Sequence, residues 1–245
     1  MPDNAPDNVP ALPDLRRRLK ADGHVFAPRE ITQALLPASF ADHWPALAAS
    51  WDDLGPDRFM ADGGRYRKRR HAIFSLTSGQ FTREAHQPHY QSRDYNMLNG
   101  GVQRWFEPVT EKTASNPAFL ALLDLCRDLF TADAHAANGR VEIHQFRIEP
   151  APGETGQPTP EGMHRDGVDW VAVILVDRLN VGEGVTAICG PGRKPLGQFT
   201  LGTPLDAVFL DDHRVLHGVT PIHLVDMHAP GHRDVLVITF QILQT

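Results

Sequence analysis

The second half of the chain constrains the fold most. Val141 to Ile148 alternates in strand fashion, and Trp170 to Val176 is a continuous apolar run of strand length. Val185 to Ile188, Phe199 to Leu201, Ala207 to Leu210, Val219 to His223 and Val235 to Ile242 follow as further short strands. Turn segments cut between them: Pro150-Ala151-Pro152-Gly153, Gly190-Pro191-Gly192 and Pro230-Gly231. Long helices do not survive such punctuation, because Pro removes a backbone donor and Gly costs backbone entropy. Short strands at this spacing mark a sandwich or a barrel. The 20 Gly and 20 Pro among 245 residues favour the same choice over a helical bundle.

The first half reads differently. Residues 1–13 hold four prolines and are expected to form a disordered tail. From Asp14 to about Leu54 the pattern is mostly helical, broken at Asp22-Gly23, with Leu15, Leu19, Ile31, Leu35 and Leu36 near helical spacing. The clearest helix covers 116–132. Asn116 is a good N-cap, Pro117 suits the first helical position, and Phe119, Leu122, Leu123, Cys126, Leu129 and Phe130 form an apolar face for a sheet. Between them, the basic run Arg65 to Arg70 precedes a possible strand at Ala72 to Leu76 and reads as a solvated strand edge or an anion-binding rim. The expected fold class is α+β with a mainly β core: one domain over 14–245, helical or mixed support and a lid at 14–139, and a barrel at 140–245.

Charge and composition exclude several functions. A net charge of −6 argues against a nucleic-acid binder held by a general basic field. The longest apolar run is far short of the ~20 residues of a spanning helix, and the polar, acidic N-terminus carries no apolar signal region. Cys126 and Cys189 are expected as unpaired, buried small residues. A cytoplasmic protein without a membrane or nucleic-acid partner is expected, and a homodimer is compatible with the sequence.

Several motifs fail on context. Gly182 to Ala187 fits G-x-G-x-x-A, but the residues after it are strand formers and a Gly-Pro-Gly turn rather than a helix. His164-Arg165-Asp166 and His232-Arg233-Asp234 spell a kinase triplet, yet the required Asn positions hold Val171 and Thr239. His213 and His217 have the spacing of a zinc-protease helix without its Glu.

One ordered set survives. With 13 His in the chain, a lone H-x-D is uninformative. Here His164-x-Asp166 precedes a buried strand, and His217 follows about fifty residues later at the mouth of another strand. Two imidazoles and a carboxylate make the facial triad of non-haem Fe(II) oxygenases. Gly231-His232-Arg233 then enters the last strong strand, and Arg233 offers a planar fork suited to a carboxylate.

His164-Arg165-Asp166-Gly167, His217-Gly218-Val219-Thr220-Pro221 and Gly231-x-Arg233 resemble the Fe(II)/2-oxoglutarate dioxygenases. Gly162 to Asp169, Asp211 to Pro221 and Val141 to Ile148 more narrowly resemble the branch containing bacterial L-isoleucine hydroxylases. The resemblance covers about residues 60–242. It implies a double-stranded β-helix, a jelly-roll or cupin-like barrel, covered here by N-terminal helices. It implies Fe(II) held by His164, Asp166 and His217, with O2 and the cosubstrate 2-oxoglutarate, whose far carboxylate Arg233 pairs. It further implies a small-molecule substrate, a free aliphatic L-amino acid, hydroxylated or oxidised at sulfur, with succinate and CO2 as co-products. One departure is Val235, where many relatives carry Ser.

Thr186 and Gln145 are further candidates for the cosubstrate pocket. On the opening strand Gln145 and Arg147 share one face and His144 takes the other, with either face able to look inward. Arg147 and His144 are candidate substrate contacts, as are Tyr90, Gln91, Asn96 and Arg104 in a polar, turn-rich segment expected to form a lid. The donor set alone also suits a cupin-like zinc hydrolase, and a non-catalytic binding or regulatory barrel would share the fold.

Overall fold

The computed structural model describes residues 12–131 and 137–243. The expected tail lies outside the described residues apart from Leu12 and Pro13, which open the first helix. The elements run α1 (Leu12–Asp22), β1 (His24–Ala27), α2 (Arg29–Ala34), α3 (Phe40–Ala48), a 3-10 turn (Ala49–Trp51), β2 (Arg67–Thr77), β3 (Gln80–Arg83), α4 (Glu111–Ala114) and α5 (Pro117–Phe130). The β-rich half follows with β4 (Gly139–Ile148), β5 (Trp170–Leu179), β6 (Val181–Glu183), β7 (Val185–Cys189), β8 (Pro195–Thr200), β9 (Ala207–Asp211), β10 (Leu216–Val219), β11 (Ile222–Leu224) and β12 (His232–Ile242).

Seven strands form one antiparallel sheet in the order β1-β9-β5-β12-β4-β2-β3, and β10-β7-β8 form a second. β11 and β6 pair as a third, short sheet. Successive side chains of a strand point to opposite faces, so the large sheet has two distinct surfaces. Its outer face carries Ala72, Phe74, Leu76, Val141, Ile143, Ala172, Ile174, Leu236, Ile238 and Phe240, packed in one core with Leu15, Leu47, Phe119, Leu122, Leu123 and Leu129 of the helices. The inner face meets the small sheet: Val171 and Val208 pack on Ile188, while Leu175 and Val235 pack around Phe199 and Leu201. β5 is covered on both sides, which explains its unbroken apolar run. This is the expected jelly-roll arrangement, with helices on its outer face.

The helix at 117 forms as expected. Asn116 Oδ1 accepts from Ala118 N at 2.8 Å and Phe119 N at 3.3 Å, satisfying two of the donors a helix start leaves free. Both cysteines are free; Cys126 is buried as expected, whereas Cys189 is only half-buried on β7. Gly182 to Ala187 spans β6 and β7, so the glycines open a strand rather than a helix.

Three expectations are corrected. The helical stretch 14–54 is interrupted by a strand: β1 pairs with β9, from His24 opposite Leu210 to Ala27 opposite Ala207. At four residues it is too short to show periodicity. The expected strand Val219 to His223 is two strands in two sheets, because Thr220-Pro221 separates β10 from β11 and Pro cannot donate to a ladder. The basic run is no solvated edge. Most of it lies in the first half of β2, which pairs with β4, and Arg67, Arg69 and Arg70 are buried.

On the outer face, Arg147 of β4 stands opposite Asp234 of β12. Its Nε and Nη2 donate to the two Asp234 oxygens at 2.8 and 2.6 Å. Asp234 is 1% exposed, and Arg147 also reaches the more exposed Asp52 at 2.9 Å. Breaking a buried pair strands the remaining charge. Asp234→Ala is expected to cost about 3 kcal/mol, the low end for such pairs because Asp52 remains. Urea denaturation measures it, and an unchanged midpoint would contradict the assignment.

Candidate active site

Two backbone hydrogen bonds bring the histidines together. His164 N donates to His217 O and His217 N to His164 O, both at 3.0 Å, in an isolated antiparallel bridge. The two rings stand 4.4 Å apart, centroid to centroid. Gly218 lets β10 come this close, since a Cβ there would meet Met163 Sδ at 2.9 Å and Gly162 O at 3.1 Å. His164 Nδ1 donates to Gly162 O at 2.9 Å. A carbonyl only accepts, so the neutral ring carries its proton on Nδ1 and leaves the Nε2 lone pair free.

Asp166 sits on a turn held by another carboxylate. Asp212 accepts from the backbone N–H groups of Asp166 (3.0 Å), Gly167 (2.7 Å) and Val168 (3.2 Å). Gly167 adopts φ +81°, and a Cβ would strike the Tyr95 ring at 2.6 Å, so this turn requires glycine. The Asp166 oxygens then lie 3.7 Å from His164 Nε2 and 3.6 Å from His217 Nε2. One donor atom from each residue lies within 4.8 Å of the others. The set fits Fe(II): two neutral imidazoles and a carboxylate fill one side and leave open positions.

Burial pushes His217 down to about 3, with the His164 charge adding to the effect. Burial also works against the His164 imidazolium, but Asp166 and Glu161 outweigh it and hold that pKa above the ordinary value. Burial raises the Asp166 carboxyl despite His164 beside it. A bound cation would favour the deprotonated forms of all three.

The trio opens into a cavity of about 280 Å³ between the sheets. Arg233 reaches it from β12 and is 2% exposed. Among the described residues its buried Nε and Nη2 have no hydrogen-bond partner. Burial, with Arg178 nearby, pushes its pKa down to about 10. An unpaired buried guanidinium fits a ligand carboxylate.

The parity of β4 decides several other candidates. Glu142, His144, Phe146 and Ile148 line the cavity, so Gln145 and Arg147 face away from it. Gln145, expected at the cosubstrate, instead donates to Ser50 Oγ at 2.8 Å. Arg147, expected at the substrate, pairs with Asp234 and Asp52. Thr186 is buried opposite Val219 but is not among the cavity residues. Tyr90, Gln91, Asn96, Arg104 and His144 do line it. The segment from His89 to Arg104 closes on itself through paired backbone bonds of 3.0 and 2.9 Å, and Gln91 ties it to the Asp166 carbonyl at 3.0 Å.

Other polar residues of the cavity were not expected. Arg67, Arg69 and Glu161 line it; the i, i+2 spacing of the two arginines on a strand was the available signal. Behind Glu142 lies a second group with His71, His89 and His144. Glu142 Oε2 accepts from His71 Nε2 at 2.9 Å and His89 Nδ1 at 2.8 Å. Arg69 Nη2 donates to His144 Nδ1 at 2.7 Å. Burial lowers all three histidines, His89 to about 4. The fixed charge of Arg69 opposes a further cation here, so the group reads as a wall of neutral imidazoles, two of them hydrogen-bonded to the ionised Glu142 carboxylate.

A jelly-roll barrel with two histidines and an aspartate open to an inter-sheet cavity defines the class of mononuclear non-haem iron oxygenases. Residues 48–239 match the family model of the 2OG-Fe dioxygenases, and the chain belongs to that family. It is therefore an Fe(II)- and 2-oxoglutarate-dependent oxygenase that uses O2, a reading that fits better than a zinc hydrolase or a non-catalytic barrel. The 3(1)-hydroxy-L-isoleucine 4-dioxygenase of Pantoea ananatis is 27% identical over 239 residues, covering 91% of this chain and 93% of that protein. The L-isoleucine-4-hydroxylase of Bacillus thuringiensis is 22% identical over 243 residues, 93% of this chain and 91% of that one. Among solved structures, a bsmA homolog from Methylobium petroleophilum superposes with a TM-score of 0.85 at 36% identity, over 96% of this chain and 94% of that one. Among the described residues, no helix is long and apolar enough to cross a membrane.

Proposed function

We propose that this oxygenase hydroxylates, or oxidises at sulfur, a free aliphatic L-amino acid, with iron held by His164, Asp166 and His217. The observation that carries the site assignment is the shared cavity: three clustered donors and Arg233, which has a buried, unpartnered edge among the described residues, face one space between the sheets. The names of the two amino-acid oxygenases similar to it over nine-tenths of the chain support the substrate class.

Bound iron and 2-oxoglutarate supply the oxidising chemistry, with succinate and CO2 as co-products. The chain supplies position and exclusion. His164 is oriented by its bond to Gly162, and Asp166 by the turn that Asp212 caps. Arg233, with its buried Nε and Nη2 edge, would hold the far carboxylate of the cosubstrate. Val173, Val219, Val235 and Val237 line the cavity with apolar surface that keeps water from the reacting centre.

Asp212 is outside the proposed donor set, yet its carboxylate holds the Asp166 turn through three backbone N–H groups. Asp212→Ala is expected to weaken iron binding by about 10–100-fold, the usual effect of losing an outer-shell partner. A metal titration checks this, and unchanged affinity would remove Asp212 from the role. The function itself is tested by screening the twenty amino acids for succinate release with Fe(II), 2-oxoglutarate and O2. An aliphatic amino acid should accelerate release and gain one oxygen by mass spectrometry. Release insensitive to every amino acid would refute the substrate class.

A further inference from the structure

Arg104 is a second buried cation of the cavity, and among the described residues no carboxylate stands within ion-pair distance of it. It is 2% exposed and stands at the closing end of the loop that starts at His89. Its guanidinium lies 5.6 Å from the centre of the Phe106 ring, which also carries Arg69 at 3.6 Å. Among the described residues nothing hydrogen-bonds its buried Nε and Nη2, the same free edge that Arg233 presents. Those two N–H groups point in parallel and match the two oxygens of a carboxylate.

The nearby anions are committed elsewhere. Asp57 pairs with Arg67 at 2.8 Å and lies 3.7 Å from Arg69. Glu142 accepts from His71, His89 and Arg140. Glu161 differs. It lines the cavity and its Oε2 is buried without a partner, while Oε1 lies 3.6 Å from His164 Nε2. Among the described residues the cavity thus offers a free cationic fork at Arg104 and a free carboxylate oxygen at Glu161, beyond the Arg233 edge and the iron-site donors. An amino-acid zwitterion carries the complementary pair.

We propose that Arg104 receives the α-carboxylate of the substrate through its Nε and Nη2 edge and that Glu161 receives the α-ammonium. This rests on the amino-acid reading above and deepens it: the cavity selects amino acids with both ends free. Peptides, esters and N-acyl derivatives lose one of the two contacts and leave a buried charge unpaired.

Anaerobic calorimetry on the Fe(II)- and 2-oxoglutarate-loaded protein tests this with L-isoleucine, its methyl ester and its N-acetyl derivative as probes. The wild type should bind L-isoleucine and bind each derivative at least about 30-fold more weakly, the usual loss when one partner of a buried charge pair is removed. These comparisons need no variant to fold. Arg104→Met should weaken L-isoleucine by a similar factor, and Arg104→Lys by less. Glu161→Gln should weaken it about 10-fold and leave the visible band of the iron–cosubstrate complex in place. Equal affinity for ester and free acid, or an Arg104→Met variant that weakens 2-oxoglutarate instead, would overturn the subsite alone. Loss of iron from Glu161→Gln would reassign that carboxylate to the metal and overturn its ammonium role. A wild type that forms the visible band but binds none of the twenty amino acids would overturn both the subsite and the amino-acid reading.

Discussion

Replacing His217 by alanine is expected to leave a folded protein that no longer holds iron. The bridge that positions this residue is made by backbone atoms, His164 N to His217 O and the reverse, so it survives loss of the side chain. His217 Nδ1 has no hydrogen-bond partner, so its removal leaves no partner stranded. The ring is held neutral by burial, with its pKa near 3, so no charge is lost near neutral pH. What disappears is one of three donors. Loss of an outer-shell partner already costs 10–100-fold, so loss of a direct donor is expected to cost at least about 100-fold in iron affinity and turnover. His164→Ala and Asp166→Ala should behave alike. Full iron content with wild-type turnover in any of the three would remove that residue from the site.

Arg233→Met is expected to separate binding from stability. With 2-oxoglutarate, the variant loses a buried charge-assisted pair, a loss of about 2 kcal/mol or more and thus at least about 30-fold in cosubstrate affinity. Without it, the sign reverses. The folded-state pKa of Arg233 lies near 10, below that of an unfolded arginine. The unfolded chain therefore binds the proton more tightly, and the charge opposes folding at every pH below about 10. The penalty is relieved only as pH rises through that value. At neutral pH it is on the order of 3 kcal/mol. The cosubstrate-free variant should melt at or above the wild-type temperature, while the stabilisation that 2-oxoglutarate gives the wild type should vanish. A variant that melts lower and still binds 2-oxoglutarate would make Arg233 a structural cation.

The barrel is legible because its signals are local, and the candidate donors because of their order, with His217 about fifty residues after His164-x-Asp166. Strands cut by Gly and Pro leave their pattern within a few residues. His164-x-Asp166-Gly167 is contiguous, with the glycine explained by a positive φ and the Tyr95 ring. The parity of β4 was not legible. Gln145 and His144 alternate equally well either way, and only pairing with β2 and β12 decides which face looks inward. The basic run misled for a related reason: Arg67 is buried because Asp57, ten residues earlier, returns to meet it. Asp212 and Glu161 carry no local mark. Their roles arise when distant segments close on the site, as when Asp212 caps a turn 44 to 46 residues away. β1 was too short to announce itself, and Pro221 was the overlooked sign that one strand is two.

The central claim is that His164, Asp166 and His217 hold one iron and Arg233 orients the cosubstrate beside it. Anaerobic titration of metal-free protein with Fe(II) in the presence of 2-oxoglutarate, followed by visible absorption, tests it most directly. The account predicts a charge-transfer band that saturates at one iron per chain, disappears in His217→Ala, and needs far more 2-oxoglutarate in Arg233→Met. A wild type with no band, or a band unchanged in His217→Ala, would contradict it.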